Sequence, residues 1–508
     1  MMETKRESTL HLSSYQIAAI LAFFALNLTV YLIRIDSVWR FGALFSPTAV
    51  ESPMIESIWK CMHGKPLYEW PFTFPFSLSL YNYLFYRLYA LVLALSGIWD
   101  EGILTWGRQF TLVFALIGAV AQWRLVRSLL NLRGAASALS LCFALGLWLC
   151  TSLVKYWALV IRPDMAAAAV VMVALWVIAR QPRFCFTYAG ILLYVAWSFK
   201  QSEVLAFAGI CLWLLLSKMW REVAIMVAVF AALVIATLFM GGTEYLFSIL
   251  AAPQMVKGFS LDFPWLLHAL GSGLTAIFLN LYWVVAPFVL IAASGGARRF
   301  GSALRMLLAV FIVAMIAGLA GMGKVGGTSN YLFEAFIAGS TMLQIVVFFA
   351  PGNVVTSLVL FGCLQPALQI AGVAIGYHQP GKRDTVQIAN DEEYAAAVAL
   401  RDRLATMKKP MFTTLGPFQL PWISSTSDAP ALVIDPNFQN AAQSRELNGG
   451  IDGMLQRGEI PTVMLAPRDL DYLKSLSPNY RKVDEFTLQG VIYSIYTYNA
   501  GASTSPYQ

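Results

Sequence analysis

Charged residues are scarce in this sequence. Asp, Glu, Lys and Arg make up 12% of its 508 residues, whereas a soluble domain typically carries about 25%. Hydrophobic residues make up 58%, and the mean hydropathy is +0.64. This composition excludes an ordinary soluble protein and predicts a chain that crosses a membrane many times. The net charge of +7 then says little about nucleic acid, because basic residues of membrane proteins collect in cytoplasmic loops.

Cysteine and nucleotide-binding motifs are also sparse. Of six cysteines, only Cys61 lies clearly outside an apolar run, and CxxC pairs are absent, so neither a disulfide framework nor a cysteine metal site is expected. No glycine-rich phosphate loop opens a helix in the polar tail, which excludes a nucleotide site there. No small-residue cleavage site follows the first apolar stretch. We therefore expect that stretch to be a retained span and not a signal peptide.

Long apolar runs dominate the first three quarters of the chain. A bilayer core requires about 20 apolar residues per helix. Eleven runs are predicted to span it: 15–34, 107–124, 136–153, 164–179, 185–199, 203–217, 223–241, 268–293, 305–321, 331–350 and 353–376. A further run, 74–97, contains Arg87 near its centre. Because an arginine at mid-bilayer depth costs about 2.5–3.5 kcal/mol, we expect 74–97 to lie in the outer interface.

Basic clusters predict the orientation. They are Lys5/Arg6, Arg124/Arg127/Arg133, Arg180/Arg183, Lys218/Arg221 and Arg298/Arg299/Arg305. All fall on one face if 74–97 does not cross, and the positive-inside rule makes that face cytoplasmic. We therefore expect a transmembrane domain, 1–376, with a long outer loop, 35–106, that carries interfacial helices. The tail, 377–508, has helix-like patterns at 392–407 and 469–476 and strand-like runs at 411–416, 431–435, 462–466 and 491–498. This alternation predicts a small extracytoplasmic α/β domain.

The stretch VESPMIESIWKCMHGKPLY, residues 50–68, begins the outer loop. Ser52 before Pro53 predicts a helix start, and Gly64 predicts its end. One face of this helix is apolar and the other charged, as in a helix that lies flat on a membrane. Its other charged residues have a local partner or a solvated position, whereas Glu51 precedes the helix without a local partner. Glu51 is therefore a candidate functional carboxylate.

Other charged residues share the predicted outer face. Asp36 ends the first span, Arg162 and Asp164 begin the fourth, Lys200 lies in an outer turn, and Glu334 lies about one turn into a span. A carboxylate at that depth is a functional candidate, although it can also be a structural partner for a nearby cation. Asp164 can likewise serve only to favour its helix N-terminus.

Five cations lie on the predicted outer face, although basic residues favour the cytoplasmic side. They are Arg40, Lys155, Arg162, Lys200 and Lys324. Arg offers a planar fork for phosphate oxygens and Lys a compact charge. Carboxylates beside such cations suggest two tasks. A carboxylate takes a proton from a nucleophile, and the cations stabilise charge on a phosphate leaving group.

Three motifs carry a resemblance to a known family. They are E-x(12)-G-K-P-L-Y from Glu51, the Arg-Pro-Asp start of the fourth span, and K-V-G-G-T-S-N-Y-L-F-E from Lys324. Their order resembles the GT-C superfamily of integral-membrane glycosyltransferases, in particular the protein O-mannosyltransferase and aminoarabinose-transferase-like branches. The resemblance covers roughly residues 15–350.

The resemblance implies an inverting transfer of a sugar from a polyprenyl-phosphate donor to a lipid, glycan or protein acceptor. It places the reaction on the periplasmic side of a bacterial inner membrane. The family often has Asp-Glu where this chain has Val50-Glu51. By resemblance, Glu51 is the catalytic base, with Asp36 the second choice, and Asp164 is a further acid in the cavity. The donor site would comprise Lys324, Asn330, Tyr331 and Glu334. Lys324 would lie near the phosphate, together with Arg162 or Lys200. Some relatives bind a divalent cation, but no His/Asp cluster here requires one.

Two other functions remain open. A flippase or transporter of lipid-linked sugar would also use outer cations and aromatic residues, but such proteins tend to have repeats and buried charge relays that this sequence lacks. A polysaccharide polymerase or ligase would be an enzyme with a different site, and it would not need an acidic residue before an interfacial helix. Formation of a glycosidic product distinguishes a transferase from a transporter.

Overall fold

The computed structural model describes most of the chain. The described residues are 12–47, 51–70, 78–99, 102–150, 154, 156–252, 271, 274–275, 277–293, 301–322, 329–349, 352–375, 386–408, 411–413, 450–467, 478–488 and 490–499. Several predicted features lie outside them: Lys324, Lys155, the basic residues Lys5, Arg6, Arg298 and Arg299, the strand-like run 431–435 and the helix-like run 469–476. Residues 268–270, 272, 273 and 276 of the predicted span 268–293 also lie outside.

Helices form most of the membrane part. They are α1 (Ser14–Phe41), α2 (Ser52–Met62), α3 (Tyr83–Leu95), α4 (Gly102–Leu130), α5 (Gly134–Cys150), α6 (Pro163–Arg180), α7 (Cys185–Phe199), α8 (Leu205–Leu216), α9 (Trp220–Leu246), α10 (Leu281–Val284), α11 (Ala286–Ala293), α12 (Gly301–Met322), α13 (Phe333–Phe349) and α14 (Asn353–Ala374). Among the described residues, seven helical segments are long and apolar enough to cross a membrane, and five shorter apolar helices accompany them. The chain is therefore a multi-pass membrane protein, although the predicted number of eleven spans is not confirmed.

The first two helices start and end close to the predicted positions. A capping box of Ser13 and Gln16 begins α1, which continues to Phe41, seven residues beyond the predicted end at 34. Asp36 therefore lies within the helix and not after it. The second helix begins at Ser52, one residue before the predicted first position at Pro53. Its end is as predicted, because Gly64 takes the left-handed conformation (φ +64°) that favours glycine.

The central helix of the bundle is α13. Nearly every side chain from Phe333 to Phe348 on it is buried. At mid-length, Gln344 accepts a hydrogen bond from Gln122 at 2.8 Å, and it donates to the Ser140 hydroxyl at 2.8 Å. Buried amides of this kind need such partners, because water is absent. This network joins α13 to α4 and α5.

The turn between α7 and α8 is buried in the bundle. These helices have 15 and 12 residues, which correspond to about 22 and 18 Å at 1.5 Å per residue. Both lengths are below the ~30 Å of a bilayer core. The connecting turn is therefore drawn in among the longer helices, and Lys200 and Glu203 on it are only 4% and 3% exposed.

The tail contains a small mixed α/β unit. Helix α15 (Asp391–Ala405) begins with a capping box of Asn390 and Glu393, and α16 covers Gly450–Gln456. Strands β1 (Met411–Thr413), β2 (Thr462–Leu465), β3 (Tyr480–Leu488) and β4 (Val491–Tyr498) form one sheet in the order β1-β2-β4-β3. Only β1 and β2 are parallel. The predicted helix and three predicted strand runs are found, whereas β3 and α16 are additional.

The α/β unit packs against the end of α1. Phe41, Leu44 and Phe45 are buried in one apolar cluster with Leu400, Ile495 and other residues of the tail. The Ser37 hydroxyl accepts a hydrogen bond from the backbone N–H of Ile388 at 2.8 Å. The end of α1 and the residues that follow it toward Glu51 therefore also pack against the tail.

Candidate active site

Asp164 is the centre of a buried ionic cluster. It lies in the first turn of α6, where Pro163 starts the helix and Arg162 precedes it. Its Oδ2 accepts from Arg162 Nε at 3.0 Å. Its Oδ1 is 2.9 Å from Lys200 Nζ and accepts from Asn330 Nδ2 at 2.8 Å. Three separate segments thus meet on one carboxylate that is inaccessible to solvent.

Lys200 links two carboxylates of this cluster. Besides its pairing with Asp164, its ammonium donates to Glu203 Oε1 at 2.8 Å, and it lies 5.8 Å from the centre of the Tyr331 ring. Burial alone would lower the pKa of Lys200. The negative charges of Asp164 and Glu203 outweigh this effect and raise the pKa above its ordinary value. Lys200 is therefore a permanent cation at physiological pH.

The Arg162 side chain lies between aromatic rings. Its guanidinium carbon is 4.5 Å from the centre of the Trp157 ring, a cation–π distance. Its Nη2 donates to the Tyr81 hydroxyl at 2.7 Å. Desolvation is the largest influence on the Tyr81 phenol, and its pKa is raised, although Arg162 acts in the opposite direction. Tyr81 therefore stays neutral and can still donate its own hydroxyl proton.

Glu334 joins α13 to the buried turn. Its Oε1 accepts from the backbone N–H of Ala206 at 3.0 Å, and its Oε2 accepts from that of Leu205 at 3.2 Å. These are unpaired donors of the first turn of α8, and a carboxylate also suits the positive end of that helix dipole. In this structure, Glu334 is thus a helix-capping side chain beside the cluster.

Glu51 forms a second buried ion pair. Arg108, on α4, donates from Nε to Oε1 at 2.9 Å and from Nη2 to Oε2 at 2.7 Å. The Ser46 hydroxyl donates to Oε2 at 3.0 Å, and the backbone N–H of Ile161 donates to Oε1 at 2.9 Å. Four donors thus hold a carboxylate that is 0% exposed.

The Glu51 pair and the Asp164 cluster share one short segment. Ile161 binds Glu51 through its backbone, and the next residue, Arg162, binds Asp164 through its side chain. The carbonyl of Val160 accepts from the Thr111 hydroxyl at 2.8 Å on α4. The segment 160–164 therefore brings Glu51 and Asp164, two of the three predicted catalytic acids, to the same end of the bundle.

The residues before α3 are bonded to α7 and to the turn that follows it. Leu80 O accepts from Gln201 Nε2 at 2.7 Å, and Asn82 Nδ2 donates to Trp197 O at 2.5 Å. Tyr68 donates to the carbonyl of Tyr81 at 2.7 Å. The first two bonds attach the residues before α3 to Gln201, next to Lys200, and to the end of α7, and the third is a bond within those residues.

The predicted site residues divide into three groups. Six of them come together in the Asp164 cluster: Arg162, Asp164, Lys200, Asn330, Tyr331 and Glu334. Glu51 lies in the adjoining ion pair. Asp36 is exposed on α1, and no described contact connects it to the cluster. Lys324 lies outside the described residues, as does Val50.

Three residues of the site were not predicted from the sequence. Arg108 falls inside the predicted span 107–124, where its charge was the only available signal. Glu203 lies three residues after Lys200 on the same turn, and this spacing is a weak signal. Tyr81 lies in an aromatic-rich run and has no distinguishing pattern. All three are brought to the site by contacts across the fold.

Asp164 and Glu334 have no oxygen left for a metal ion. Both oxygens of Asp164 are occupied by a cation or an amide, and both oxygens of Glu334 by backbone N–H groups. A divalent cation would compete with Lys200 and Arg162 for the same carboxylate. In the part of the chain that the structure describes, no three His, Cys, Asp or Glu side chains are grouped as metal ligands.

Comparisons of the sequence gave no relative. No protein-family model matches it, and a search of curated proteins found no match.

Solved structures do match the fold. ArnT from Cupriavidus metallidurans bound to undecaprenyl phosphate has a TM-score of 0.55 and 14% identity, covering 94% of this chain and 97% of ArnT. The Archaeoglobus fulgidus oligosaccharyltransferase AglB, in complex with an inhibitory peptide and a dolichol-phosphate, has a TM-score of 0.53 and 10% identity, covering 97% and 75%. At such identity the likeness concerns the fold. Both are GT-C proteins, and the chain therefore has the GT-C fold that its motifs predicted.

Proposed function

We propose that this protein is a glycosyltransferase that moves a sugar from a polyprenyl-phosphate donor to an acceptor hydroxyl. The observation that carries the proposal is the meeting of six predicted residues in one buried ionic cluster, at one end of a GT-C fold. The solved neighbours are described with undecaprenyl phosphate and dolichol-phosphate, which supports a donor of that lipid class.

Lys200 and Arg162 would receive the donor phosphate. An ammonium has three N–H donors, and two of those on Lys200 bind Asp164 and Glu203. Among the described residues no third hydrogen-bond acceptor faces Lys200, so one N–H remains for a phosphate oxygen. Arg162 adds a planar cation that is held in place by Asp164 and Trp157. Lys324 would add a further cation. Asn330, Tyr331 and Glu334 would line the donor site beside them.

Glu51 is our proposed base, and Asp36 remains the alternative. The acceptor oxygen forms a bond to the anomeric carbon while the bond from that carbon to the phosphate oxygen breaks. The acceptor proton passes to the carboxylate, and the polyprenyl phosphate leaves with the bonding electrons. This single displacement inverts the anomeric carbon. For Glu51 to act, the acceptor hydroxyl must take the place of the Ser46 hydroxyl on Oε2. Asp164 would be the further acid that orients the cations.

The site would face the extracytoplasmic side. Arg124 and Arg127 lie near the end of α4, and Arg180 ends α6. Arg108 and Asp164 lie at the opposite ends of these same helices. Because basic residues favour the cytoplasmic side, the cluster and the tail domain would be periplasmic in a bacterial inner membrane. The acceptor would be a lipid, glycan or protein presented there.

An assay of the purified protein tests this function. Undecaprenyl-phosphate-linked sugars are incubated with lipid, glycan and peptide acceptors, and glycosidic products are measured for wild type, Glu51→Gln and Asp36→Asn. We expect product from wild type and its loss in the variant that lacks the base. Wild-type rates in both variants would refute both base assignments. Lipid-dependent movement of the donor between leaflets without any product would instead identify a flippase.

A further inference from the structure

Glu203 is a buried glutamate whose two oxygens have different surroundings. It is 3% exposed and lies in the turn between α7 and α8. Its Oε1 accepts from Lys200 Nζ at 2.8 Å, and its backbone N–H donates to the carbonyl of Lys200 at 3.0 Å. Its Oε2 is buried and has no hydrogen-bond partner among the described residues.

The other acids of the cluster differ from Glu203 in this respect. Both oxygens of Asp164 are paired with a cation, and both oxygens of Glu334 accept hydrogen bonds from backbone N–H groups. Buried polar atoms are almost always paired, and an unpaired one requires an explanation. The Oε2 of Glu203 therefore indicates a position where a donor group from outside the described structure is required.

The chemistry of this position excludes the phosphate itself. Phosphate oxygens are acceptors and negatively charged, so a carboxylate oxygen would repel them. Hydroxyl and amino groups can donate to it, and a sugar linked to the phosphate carries such groups. Glu203 and the expected phosphate position share Lys200, so the sugar that follows the phosphate lies within reach of Glu203.

We propose that Glu203 Oε2 accepts a hydrogen bond from a hydroxyl or amino group of the donor sugar, and so selects which sugar binds. This inference rests on the proposed function. Burial raises the pKa of Glu203 despite the opposing charge of Lys200, and a donated hydrogen bond would favour its ionised form.

Binding measurements in detergent test this assignment without turnover. The probes are bare undecaprenyl phosphate and the same lipid carrying glucose, mannose or an amino pentose. Wild type should bind at least one sugar-bearing probe more tightly than the bare lipid. If the preferred probe carries a neutral sugar, the partner of Glu203 Oε2 is a hydroxyl group. If it carries the amino pentose, the partner is an ammonium group. In Glu203→Gln, the remaining carbonyl oxygen can still bind Lys200, but an NH₂ replaces Oε2.

Glu203→Gln should lower the affinity for the preferred sugar-bearing probe about tenfold and leave the affinity for the bare lipid unchanged. Glu69→Gln, the same change in a Lys–Glu pair outside the cluster, should leave both affinities unchanged. Lys200→Met should lower the affinity for both the sugar-bearing probe and the bare lipid. The assignment would be overturned if Glu203→Gln kept the wild-type preference for the sugar-bearing probe over the bare lipid. It would also be overturned if this variant lost affinity for both equally. If wild type gains no affinity from any sugar, the assignment fails as well. Wild-type transfer to an acceptor in the same preparation shows whether the proposed function survives that failure.

Discussion

Glu51 and Arg108 lie 57 positions apart in the chain and form a two-point ion pair with oxygen–nitrogen distances of 2.9 and 2.7 Å. Arg108 also donates to the carbonyls of Gly42 and Phe45 at 2.7 and 3.2 Å. One guanidinium therefore holds both the proposed base and the backbone that leads to it. The side chains are 0% and 1% exposed, so neither charge can be compensated by water.

Removal of Arg108 should destabilise the protein strongly. A buried charge that loses its partner typically costs about 3–5 kcal/mol. Arg108→Ala would leave Glu51 without its cation and would remove the Arg108 hydrogen bonds to the carbonyls of Gly42 and Phe45. The measurement is thermal unfolding of the purified protein in detergent. Arg401→Ala, which removes an exposed pair with Asp402, should change stability by less than about 0.5 kcal/mol. Equal melting temperatures for the two variants would show that the buried pair has no structural role.

The raised pKa of Lys200 predicts low chemical reactivity. Because Asp164 and Glu203 hold the charged form, the free amine at pH 9 should be far rarer than in an ordinary lysine. The stabilisation from this cation is present below the unfolded-state pKa and is lost as pH rises above it. Acylation by acetic anhydride, followed by mass spectrometry, should label Lys200 at least tenfold less than the exposed Lys65. Equal labelling of the two lysines would contradict the cluster geometry.

The tail should remain docked mainly through apolar contacts. Phe41 and Leu44 are 5% and 1% exposed in the cluster with the α/β unit, whereas the Arg40–Asp391 pair is 52% and 82% exposed. Phe41→Ala should therefore cost about 3 kcal/mol and make the tail sensitive to limited proteolysis. Arg40→Ala should leave the cleavage rate unchanged, since exposed pairs contribute little. Faster cleavage of the tail in Arg40→Ala than in Phe41→Ala would show that the ion pair, and not the apolar cluster, holds the tail.

Transfer should not require a divalent metal ion. The oxygens of Asp164 and Glu334 are already occupied by cations, an amide and backbone N–H groups, and Lys200 with Arg162 supplies the charge that a metal would bring to a phosphate. Incubation with excess EDTA should leave at least half of the transfer rate. Complete loss of activity, restored by one added metal ion, would show that a metal binds elsewhere in the site.

The grouping of charged residues at one end of the bundle could be predicted from the sequence, because composition encodes membrane topology. Apolar length marks the helices and basic residues mark their cytoplasmic ends, so Asp164, Lys200 and Glu334 could be assigned to one side of the membrane. Their mutual contacts could not be predicted, since helix neighbours depend on packing across the bundle. The GT-C likeness of the motifs indicated that they share a site.

Arg108 shows why the rest of the site was missed. A charged residue inside an apolar run indicates a buried partner, but helical spacing gives only its face and not the identity of that partner. Strand β3 was missed for a different reason. Its exposed edge carries Arg481, Lys482, Asp484 and Glu485, and charges on an edge strand hide the alternation that identifies a strand.

Release of polyprenyl phosphate from a lipid-linked sugar tests the central claim most directly. The substrate is undecaprenyl phosphate carrying a radiolabelled sugar, and both the freed lipid phosphate and the labelled acceptor are measured in one reaction. Wild type and Lys65→Met should produce the two in equal amounts, whereas Lys200→Met should be at least a hundredfold slower. Undiminished release by Lys200→Met, or no release by wild type with any sugar and acceptor class, would contradict the account.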